Sequence, residues 1–468
     1  MHKKIIPVAA TLLMSAVAQA QNNPTPGPSD VDALTWKGIT LYGVVDVGLQ
    51  YQTHGTPVSD YIAYGTETVI QKNSNDSVTA LVSSPLSWSR IGLAGKEPLA
   101  GDWSAVFRLE TEYNPTSGNL SDGLKSLTLD NGRSLTTQTS DLDNSVAGQL
   151  FGGMAYLGVS SETFGTLTFG RHYTTLADGT VKYDALQDGQ DSAHAFSLLG
   201  GSGIAGGGGS TEDKRLDHSL KYSAKFDWLH VGALYQFSDS SGSANTAVQA
   251  QLGAEFAGAS IDAYYAKKYD AVSASALSST QVTGLTKLCT SSDGATCYSV
   301  SNSLAATISD NTTYAFMGLY NFGVVKLYAG YEHIKFANPN TPLPTGFIDI
   351  GGYVLADVNN TAYDNNKDLQ IFWGGVKWPV TPDFYLAAGY YGYKQNSFAT
   401  GKNAGCTSAV SSGCSGTENA FSVLGDYRFN NHFDAYLGTL WSDVTDGLAN
   451  EFLNTSTLTT TVGVRVKF

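Results

Sequence analysis

Arginine and lysine side chains recur at alternate positions of several short segments whose other positions are apolar. Arg108, for example, stands between Phe107 and Leu109. The cations placed in this way are Arg90, Lys96, Arg108, Arg215, Lys221 and Lys225. Because successive side chains of an extended chain point to opposite faces, each segment would carry its cations on one face and its apolar residues on the other. Fixed cations in such a row can orient polar solutes and water.

Motifs for catalysis are absent from the sequence. The eight histidines are scattered and no Gly-x-Ser-x-Gly elbow is present, although serines lie near His172, His194 and His218. The glycine run at 200–209 is not followed by the Lys-Ser/Thr of a phosphate loop. We therefore expect no enzymatic activity and no cofactor, and a hydrolase with a Ser–His pair remains the enzymatic alternative.

The composition excludes several classes of protein. The chain has 468 residues with 27 Lys+Arg and 41 Asp+Glu, a net charge of −14, and only 15% charged residues. Disordered chains combine high charge density with few aromatics, whereas here aromatics reach 11%. Nucleic-acid binding requires a basic footprint, and this chain is acidic.

The first twenty residues have the three parts of a secretory signal peptide. Two lysines follow Met1-His2, an apolar run extends from Ile5 to Val17, and Ala18-Gln19-Ala20 supplies the cleavage pattern. Removal of residues 1–20 with their two lysines would take the net charge from −14 to −16. The sequence thus predicts an exported protein with a flexible, proline-rich lead-in at 21–36 and a folded domain at 37–468.

Two cysteine pairs fit an exported protein. Cys289 and Cys297 flank one Gly/Ser-rich stretch, and Cys406 and Cys414 flank another. Four cysteines allow three connectivities. The two equal, local spacings favour bridges within each pair, which oxidising compartments permit. Neither spacing is that of zinc ligands, so no metal is expected.

Alternation with a period of two predicts strands at both ends of the domain. From Leu458 to Phe468, apolar residues and Thr460 share one face, and the other face carries Arg465 and Lys467. Ile39–Tyr51 alternates in the same way, with Asp46 on its polar face. Fourteen further strands are predicted near Trp88–Gly95, Trp103–Glu112, Leu150–Ser160, Thr166–Tyr173, Arg215–Phe226, Trp228–Phe237, Ala247–Ala257, Ser260–Tyr269, Thr313–Phe322, Val324–Phe336, Asp368–Pro379, Asp383–Lys394, Ala420–Phe429 and Phe433–Ser442.

The connections alternate between short and long, which indicates the architecture. Phe226-Asp227-Trp228 is a tight turn, whereas 270–312 and 336–367 are long polar loops. An even number of strands with short turns at one end and long loops at the other is typical of a transmembrane β-barrel. The mature sequence has no run of 18 apolar residues that would form a spanning helix. A large secreted β-protein with an aromatic core remains the soluble alternative.

Several of these segments, in this order, resemble the general porins of Gram-negative bacteria. The matching stretches are Thr40–Gly48, Ser89–Glu97, Ala155–Val159, Gly165–Arg171, His218–Tyr222 and the terminal Phe468. The resemblance implies an all-β fold, a 16-stranded antiparallel transmembrane barrel of the outer membrane with long extracellular loops and short periplasmic turns. It further implies a homotrimer that passes small hydrophilic solutes and ions by passive diffusion. Phe468 would be read by the barrel-assembly machinery.

The resemblance also implies that the third long loop, at 172–214, folds into the barrel and narrows it. We expect Asp184, Asp188 and Asp191 of this loop to face Arg90, Arg108, Arg171 and Arg215 on the wall. A charge on the lipid face costs roughly 2–4 kcal/mol at the membrane midplane, which favours the lumen for wall cations. The expected lumen-facing set also includes Lys96, Lys221, Lys225, Asp46 and Arg465. Opposed charges would create a transverse field across a narrow passage.

Arg171 conflicts with strict alternation. Counting from Leu167 and Phe169, it would point to lipid, so either a bulge intervenes or the strand has ended. Ion preference is a second open question, because the acidic loops favour cations and the wall arginines favour anions. We expect a weak cation preference. A solute-selective channel of the same fold, and a barrel whose loops bind host or phage surfaces, remain alternatives.

Overall fold

The computed structural model describes residues 34–62, 72–73, 75–140, 145–186, 195–199, 214–238, 246–288 and 299–468. The predicted signal peptide and most of the predicted lead-in lie outside these ranges. Leu34–Trp36, which we assigned to the flexible lead-in, instead forms a short strand paired with Ile39–Leu41.

Twenty strands and three α-helices occur in the described ranges. The strands are β1 (Leu34–Trp36), β2 (Ile39–Gln52), β3 (Val78–Ser83), β4 (Arg90–Pro98), β5 (Trp103–Glu112), β6 (Ala155–Ser161), β7 (Gly165–Tyr173), β8 (Arg215–Phe226), β9 (Leu229–Gln236), β10 (Ala247–Phe256), β11 (Ala259–Ser275), β12 (Ser303–Asn321), β13 (Lys326–Ala337), β14 (Phe347–Ile350), β15 (Tyr353–Asn359), β16 (Lys367–Thr381), β17 (Phe384–Gln395), β18 (Gly416–Arg428), β19 (Phe433–Asp446) and β20 (Ser456–Lys467). The helices are α1 (Gly123–Leu129), α2 (Thr175–Lys182) and α3 (Ser279–Leu288), and short 3-10 helices lie at Leu135–Thr137, Val300–Asn302, Gly401–Asn403 and Gly447–Ala449. None of the described α-helices has the length and hydrophobicity to cross a bilayer.

Sixteen strand positions form a closed antiparallel barrel, which confirms the predicted fold class. Most strands pair with the next in the chain, and β13 pairs directly with β16. β3 and β4 share the second position, because β3 pairs with the second half of β2 and β4 with the first half. Pairing of β20 with β2 closes the ring.

Alternation decides which face of each strand looks outward. Along β20, Val462 and Val464 are 50% and 46% exposed, whereas Thr461 and Arg465 are 0% and 1% exposed. The outer wall is therefore apolar and the inner wall polar, as the sequence pattern predicts. Where β2 meets β20, Gly43 allows the ring of Phe468 to pack closely, because a Cβ at position 43 would lie 2.4 Å from Cζ of Phe468.

Short turns connect the strands at one end of the barrel and long loops at the other. We number the loops L1 (53–77), L2 (113–154), L3 (174–214), L4 (237–246), L5 (276–302), L6 (338–366), L7 (396–415) and L8 (447–455). Residues 84–89, between β3 and β4, form a further segment that turns into the barrel, which we call the inner segment.

The sequence located all sixteen barrel strands but misplaced some of their ends. The strand predicted at Leu150–Ser160 begins only at Ala155. The strands predicted at Ser260–Tyr269 and Thr313–Phe322 extend through β11 and β12 well beyond the ring, where they pair with each other and with β15. β3 and the β14–β15 hairpin were missed.

Candidate functional site

Three of the four predicted wall arginines lie together on the inner face. Arg90 of β4, Arg108 of β5 and Arg215 of β8 are 3%, 2% and 1% exposed. Strand alternation places Arg90 there, because its neighbour Ile91 faces outward. The arginines are covered by other side chains of the wall rather than spread around the lumen.

Arg90 and Arg108 share one carboxylate of the same wall. Oε2 of Glu110 lies 2.7 Å from Nη2 of Arg108 and 3.3 Å from Nε of Arg90. The hydroxyl of Tyr42 donates to the same oxygen at 2.8 Å and accepts from Nε of Arg108 at 2.5 Å. The Arg108 guanidinium also lies over the Tyr42 ring, 4.9 Å from its centroid. This network fixes both cations against the wall.

Arg215 is held by a second wall carboxylate and two aromatic rings. Its Nη2 donates to Oε1 of Glu112, and Tyr173 Oη donates to the same oxygen at 3.0 Å. The guanidinium lies 4.3 Å from the ring centroid of Trp88 and 4.7 Å from that of Tyr173. Trp88 reaches this position because the inner segment turns into the barrel. We call Arg90, Arg108, Arg215, Glu110, Glu112, Tyr42, Tyr173 and Trp88 the wall cluster.

Arg171 does not join the wall cluster. It pairs across strands with Ala155, next to the outward-facing pair of Leu157 and Phe169, so it lies on the outer side of the barrel near its loop end. Its guanidinium donates to the carbonyls of Gly152 and Ser145 and to Asp217.

A bulge on β8 lies opposite Arg171, where Asp217 and His218 of β8 face this single residue of β7. Gly170 has a φ of +139°, which favours glycine, and the pairing with β8 shifts register between Gly170 and His172. His172 points inward and stacks on Tyr156 with ring centroids 5.1 Å apart. Its Nδ1 lies 2.8 Å from Oγ of Ser219, and both side chains are buried.

Loop L3 descends into the barrel along β8, β10 and β11. Helix α2 begins where Gln249 of β10 accepts from the backbone N–H of Thr175 at 2.9 Å. Asp178 pairs with Lys221 of β8. At the end of the helix, Nζ of Lys182 lies 3.1 Å from Oε1 of Glu255 and 3.3 Å from Oδ2 of Asp262.

Beyond α2 the loop crosses to the opposite wall. Tyr183 donates to Asp262, and its carbonyl accepts from Nε1 of Trp373 at 2.9 Å. Burial, with the nearby Asp262 carboxylate, raises the pKa of the Tyr183 phenol, which therefore remains a hydrogen-bond donor. Further along, the backbone N–H of Ala195 donates to the carbonyl of Pro85 in the inner segment at 2.9 Å.

Asp184 faces away from the arginines. It accepts from Tyr391 Oη at 2.8 Å, from the backbone N–H of Leu186 at 3.1 Å and from Ser197. It therefore shapes the loop and joins it to β17. Asp188 and Asp191 lie outside the described residues. Asp184 therefore does not pair with a wall arginine, as we expected. The wall arginines pair instead with the glutamates Glu110 and Glu112 of the same wall.

Three further predicted inner residues, Lys225, Arg465 and Asp46, also have partners. Lys225 Nζ lies 2.7 Å from Oε2 of Glu255. Arg465 Nη2 lies 3.0 Å from Asp434 and 3.5 Å from Asp426. Asp46 accepts from the backbone N–H groups of Leu86 and Ser87 at 2.8 and 2.6 Å and so holds the inner segment. Lys96 is exposed at the short-turn end.

The carboxylates of these pairs were missed by the sequence reasoning. Glu110 and Glu112 have the same parity as Arg108, and Asp434 pairs across strands with Arg465. Parity could have placed the two glutamates on the inner face, because the same alternation placed the arginine there.

Part of the wall opposite the wall cluster is a buried apolar surface. Side chains of β11 to β19, including Met317, Ile371 and Tyr393, form one buried cluster with Leu176, Leu198 and other residues of L3. L3 therefore packs on the apolar wall and leaves the charged wall on the other side. Among the described residues there is no group of three or more His, Cys, Asp or Glu side chains suited to a metal ion.

One of the two predicted disulfides is present. Cys406 and Cys414 are bonded within L7, with their Cα atoms 4.8 Å apart. Cys289 and Cys297 lie outside the described residues. Gln395 of β17 donates to the carbonyls of Ser412 at 2.9 Å and Cys414 at 2.7 Å, so the bridged loop is tied to the barrel.

Comparison with known proteins identifies the family of this barrel. Residues 8–447 match the family model of Gram-negative porins. The chain belongs to the Gram-negative porin family and is a protein of the outer membrane.

An outer membrane porin protein of Bordetella pertussis is 27% identical over 201 residues, which are 43% of this chain and 43% of that protein. The matched region thus spans less than half of that relative. The anion-selective porin of Comamonas acidovorans has a similar fold, with a TM-score of 0.57 and 18% identity over 92% of this chain and 99% of that one. Outer-membrane-expressed OmpT of Vibrio cholerae gives a TM-score of 0.53 and 16% identity over 93% and 100% of the two chains. These two likenesses concern the fold.

Proposed function

We propose that the protein is a porin that forms a water-filled channel for passive diffusion of small hydrophilic solutes and ions across the outer membrane. The observation that carries the proposal is the closed sixteen-strand barrel with an apolar outer wall and a charged inner wall. A polar interior inside a lipid-facing barrel is typical of diffusion channels. The proposal assigns no reaction to the protein.

The passage is proposed to run between L3 and the wall cluster. L3 packs on the apolar wall, so the space beside the charged wall is left for solutes. Arg90, Arg108 and Arg215 remain the proposed wall residues of the constriction. The full constriction loop at 172–214, with Asp188 and Asp191, remains part of the proposal.

Charge selectivity is proposed to be weak. The arginines of the wall cluster are paired with glutamates of the same wall, so their fields largely cancel before they reach across the passage. The excess of acidic residues, 41 against 27 basic ones, lies mostly outside these pairs. We therefore retain a weak cation preference.

Assembly and export are proposed by family resemblance. A homotrimer is supported by the trimer form of Vibrio cholerae OmpT, which shares the fold at a TM-score of 0.52. Phe468 is proposed to be the residue recognised by the barrel-assembly machinery, and residues 1–20 the signal peptide. Mobility on a detergent gel that changes after heating would support the trimer, and an unchanged monomer band would contradict it.

Planar-bilayer conductance and liposome swelling test the function. We expect ion conductance, a small reversal potential of cation-selective sign under a KCl gradient, and swelling that slows as the sugar grows. Absence of any conductance would overturn the porin proposal. Saturation of the flux by one solute would replace it with a solute-selective channel.

A further inference from the structure

Loops L2, L5 and L6 meet above the mouth of the barrel. L2 leaves the ring between β5 and β6, and L6 leaves it between β13 and β16. Six strand positions separate these two places on either side, β7–β12 on one and β17–β20, β2 and the shared β3–β4 position on the other. A contact between L2 and L6 therefore crosses the mouth along its diameter.

L2 and L6 are joined by a hydrogen bond and by close backbone packing. Tyr353 of β15 donates to Oδ2 of Asp122, at the start of α1, at 2.8 Å. Gly351 lies so close to L2 that a Cβ at this position would be 2.2 Å from Cβ of Ala147. L2 and L6 are thus in direct contact at these residues, and no solute can pass between them there.

L2 and L5 are joined mainly through Asn131. Its amide nitrogen donates to the carbonyls of Val300 and Ser303, both at 2.7 Å, and its carbonyl accepts from the backbone N–H of Leu277 at 2.7 Å. The backbone N–H of Gly132 donates to the carbonyl of Leu277, also at 2.7 Å. Four short hydrogen bonds fix these loops to each other.

The three loops also share a hydrophobic core that lies outside the barrel ring. Leu124 and Leu127 of α1 pack with Leu304 and Ile308 of β12 and with Leu355 of β15. The β12 residues belong to the extension that pairs in parallel with β15. A side-chain core of this kind is close-packed, so the three loops form one rigid unit. We call it the loop bridge.

We propose that the loop bridge is a fixed size filter at the extracellular entrance, so that solutes enter beside it before they reach the wall cluster. This inference rests on the proposed channel function. Because the bridge crosses a diameter, it divides the mouth and limits the size of solutes independently of the charges deeper in the barrel. The class it would restrict is bulky uncharged hydrophilic molecules such as oligosaccharides.

Shortening L2 tests the filter directly. Asp122 and Ala147 form an antiparallel bridge pair, so their Cα atoms are about 5 Å apart and a two-residue turn can join them. Replacement of residues 123–146 by Asn-Gly removes α1 and Asn131, and Tyr353→Phe in the same chain removes the hydrogen bond to Asp122. We expect liposome swelling with tri- and tetrasaccharides, relative to arabinose, to rise several-fold, while the reversal potential stays as in the wild type. Unchanged relative rates would overturn the proposal.

A variant with two point substitutions controls for misfolding of the shortened chain. Asn131→Ala with Tyr353→Phe loosens the bridge and should shift the relative rates in the same direction. Asn450→Ala is the matched control, because its amide also donates to a loop carbonyl, that of Ala409, at 2.7 Å, but joins the neighbouring loops L7 and L8. An equal effect of the control would contradict the filter.

A cross-link tests whether the bridge is fixed. A Cβ at position 132 would lie 3.9 Å from Cβ of Val282, which is within the range of a disulfide. Gly132→Cys with Val282→Cys should give the same swelling rates oxidised and reduced. Wild type and the single variant Gly132→Cys are the controls, because Gly132 has a φ of +75° and a side chain there is strained. Loss of flux on oxidation would show a moving lid and overturn the fixed filter. Absence of flux in wild type would overturn the channel itself.

Discussion

Arg215 and Glu112 form an ion pair in which both side chains are completely shielded from solvent, although they come from different strands. The rings of Trp88 and Tyr173 enclose the guanidinium on two sides. Each of the two buried charges is stabilised by the other, because the loss of one leaves the other buried without an opposite charge. The pair therefore contributes to the shape of the wall as well as to its charge.

Removal of one partner should destabilise the barrel strongly. For Glu112→Ala or Arg215→Ala we expect a loss of about 3–5 kcal/mol in the free energy of unfolding, since a buried charge is left unpaired. Urea unfolding in lipid vesicles measures it. The double variant Glu112→Met with Arg215→Met should be clearly more stable than either single one. Single variants as stable as wild type would contradict the buried pair.

Glu110 should control the sign of ion selectivity. Glu110→Gln leaves Arg90 and Arg108 without their shared carboxylate, so the reversal potential under a KCl gradient should move toward anion selectivity. Glu451→Gln is the control, because this glutamate pairs with Lys72 on the loops and its side chain is 69% exposed. Salt screens such an exposed charge. Equal shifts in both variants would show that the wall cluster does not face the ion path.

Lys182 should hold L3 in place. Lys182→Met breaks the contacts of α2 with Glu255 and Asp262, so we expect a larger and noisier single-channel conductance. Lys225→Met is the matched control, since Lys225 also pairs with Glu255 but belongs to the wall strand β8. Two variants with the same conductance trace would argue against anchoring of the loop by Lys182.

The Cys406–Cys414 bridge should protect L7 from proteolysis. A short disulfide loop typically contributes about 2–3 kcal/mol by restricting the open chain. Cys406→Ser should therefore speed tryptic cleavage after the exposed Lys402, with little change in conductance. Reduction of the wild-type protein should reproduce the effect. Cleavage as slow as before would mean that the hydrogen bonds from Gln395 suffice to hold the loop.

Acidification should tighten the start of α1. Burial raises the pKa of the Asp122 carboxyl, against the opposing effect of hydrogen bonds from Lys125 and Tyr353. Burial likewise raises the pKa of Asp130 near the end of the helix. A raised pKa in the folded state gives stability that is present below the ordinary aspartate value of about 3.9 and is lost as pH rises through the folded pKa.

Hydrogen exchange of the peptide covering residues 120–130, corrected for the intrinsic rate at each pH, measures this effect. Protection should be greater near pH 4 than near pH 7. Asp122→Asn should reduce the dependence, and protection that rises with pH would contradict it.

Much of the fold could be predicted because alternation reports directly on a two-faced sheet. Every barrel strand carries enough lipid-facing Leu, Val, Phe or Tyr to mark its outer face. The ends of β11 and β12 could not be predicted, since their extensions leave the membrane and are rich in Ser, Thr and Ala. β3 was hidden by the inner segment, which interrupts its strand position.

The candidate site was predictable only in part. Alternation along each strand predicted that Arg90 and Arg108 share the face of their buried neighbours, and both are buried, whereas the bulge in β8 interrupts the alternation that links Arg215 to Lys221. Alternation could not predict which carboxylate forms an ion pair with each arginine. The pairing of Arg215 with Glu112, for example, depends on how β5 and β8 lie across the inside of the ring. Arg171 was assigned to the wall against the parity counted from Phe169, and its outward position agrees with that parity.

The pairing of β2 with β20, which closes the ring, restricts when the barrel can form during biogenesis. Gln52 donates to Thr459, 407 positions away in the chain, so the ring cannot close until the last strand has been made. Contacts this distant in sequence form slowly, because a long stretch of chain must be ordered first. Until then two unpaired strand edges are exposed, which favours aggregation in water. Covering both edges before insertion would therefore suppress aggregation of the nascent chain.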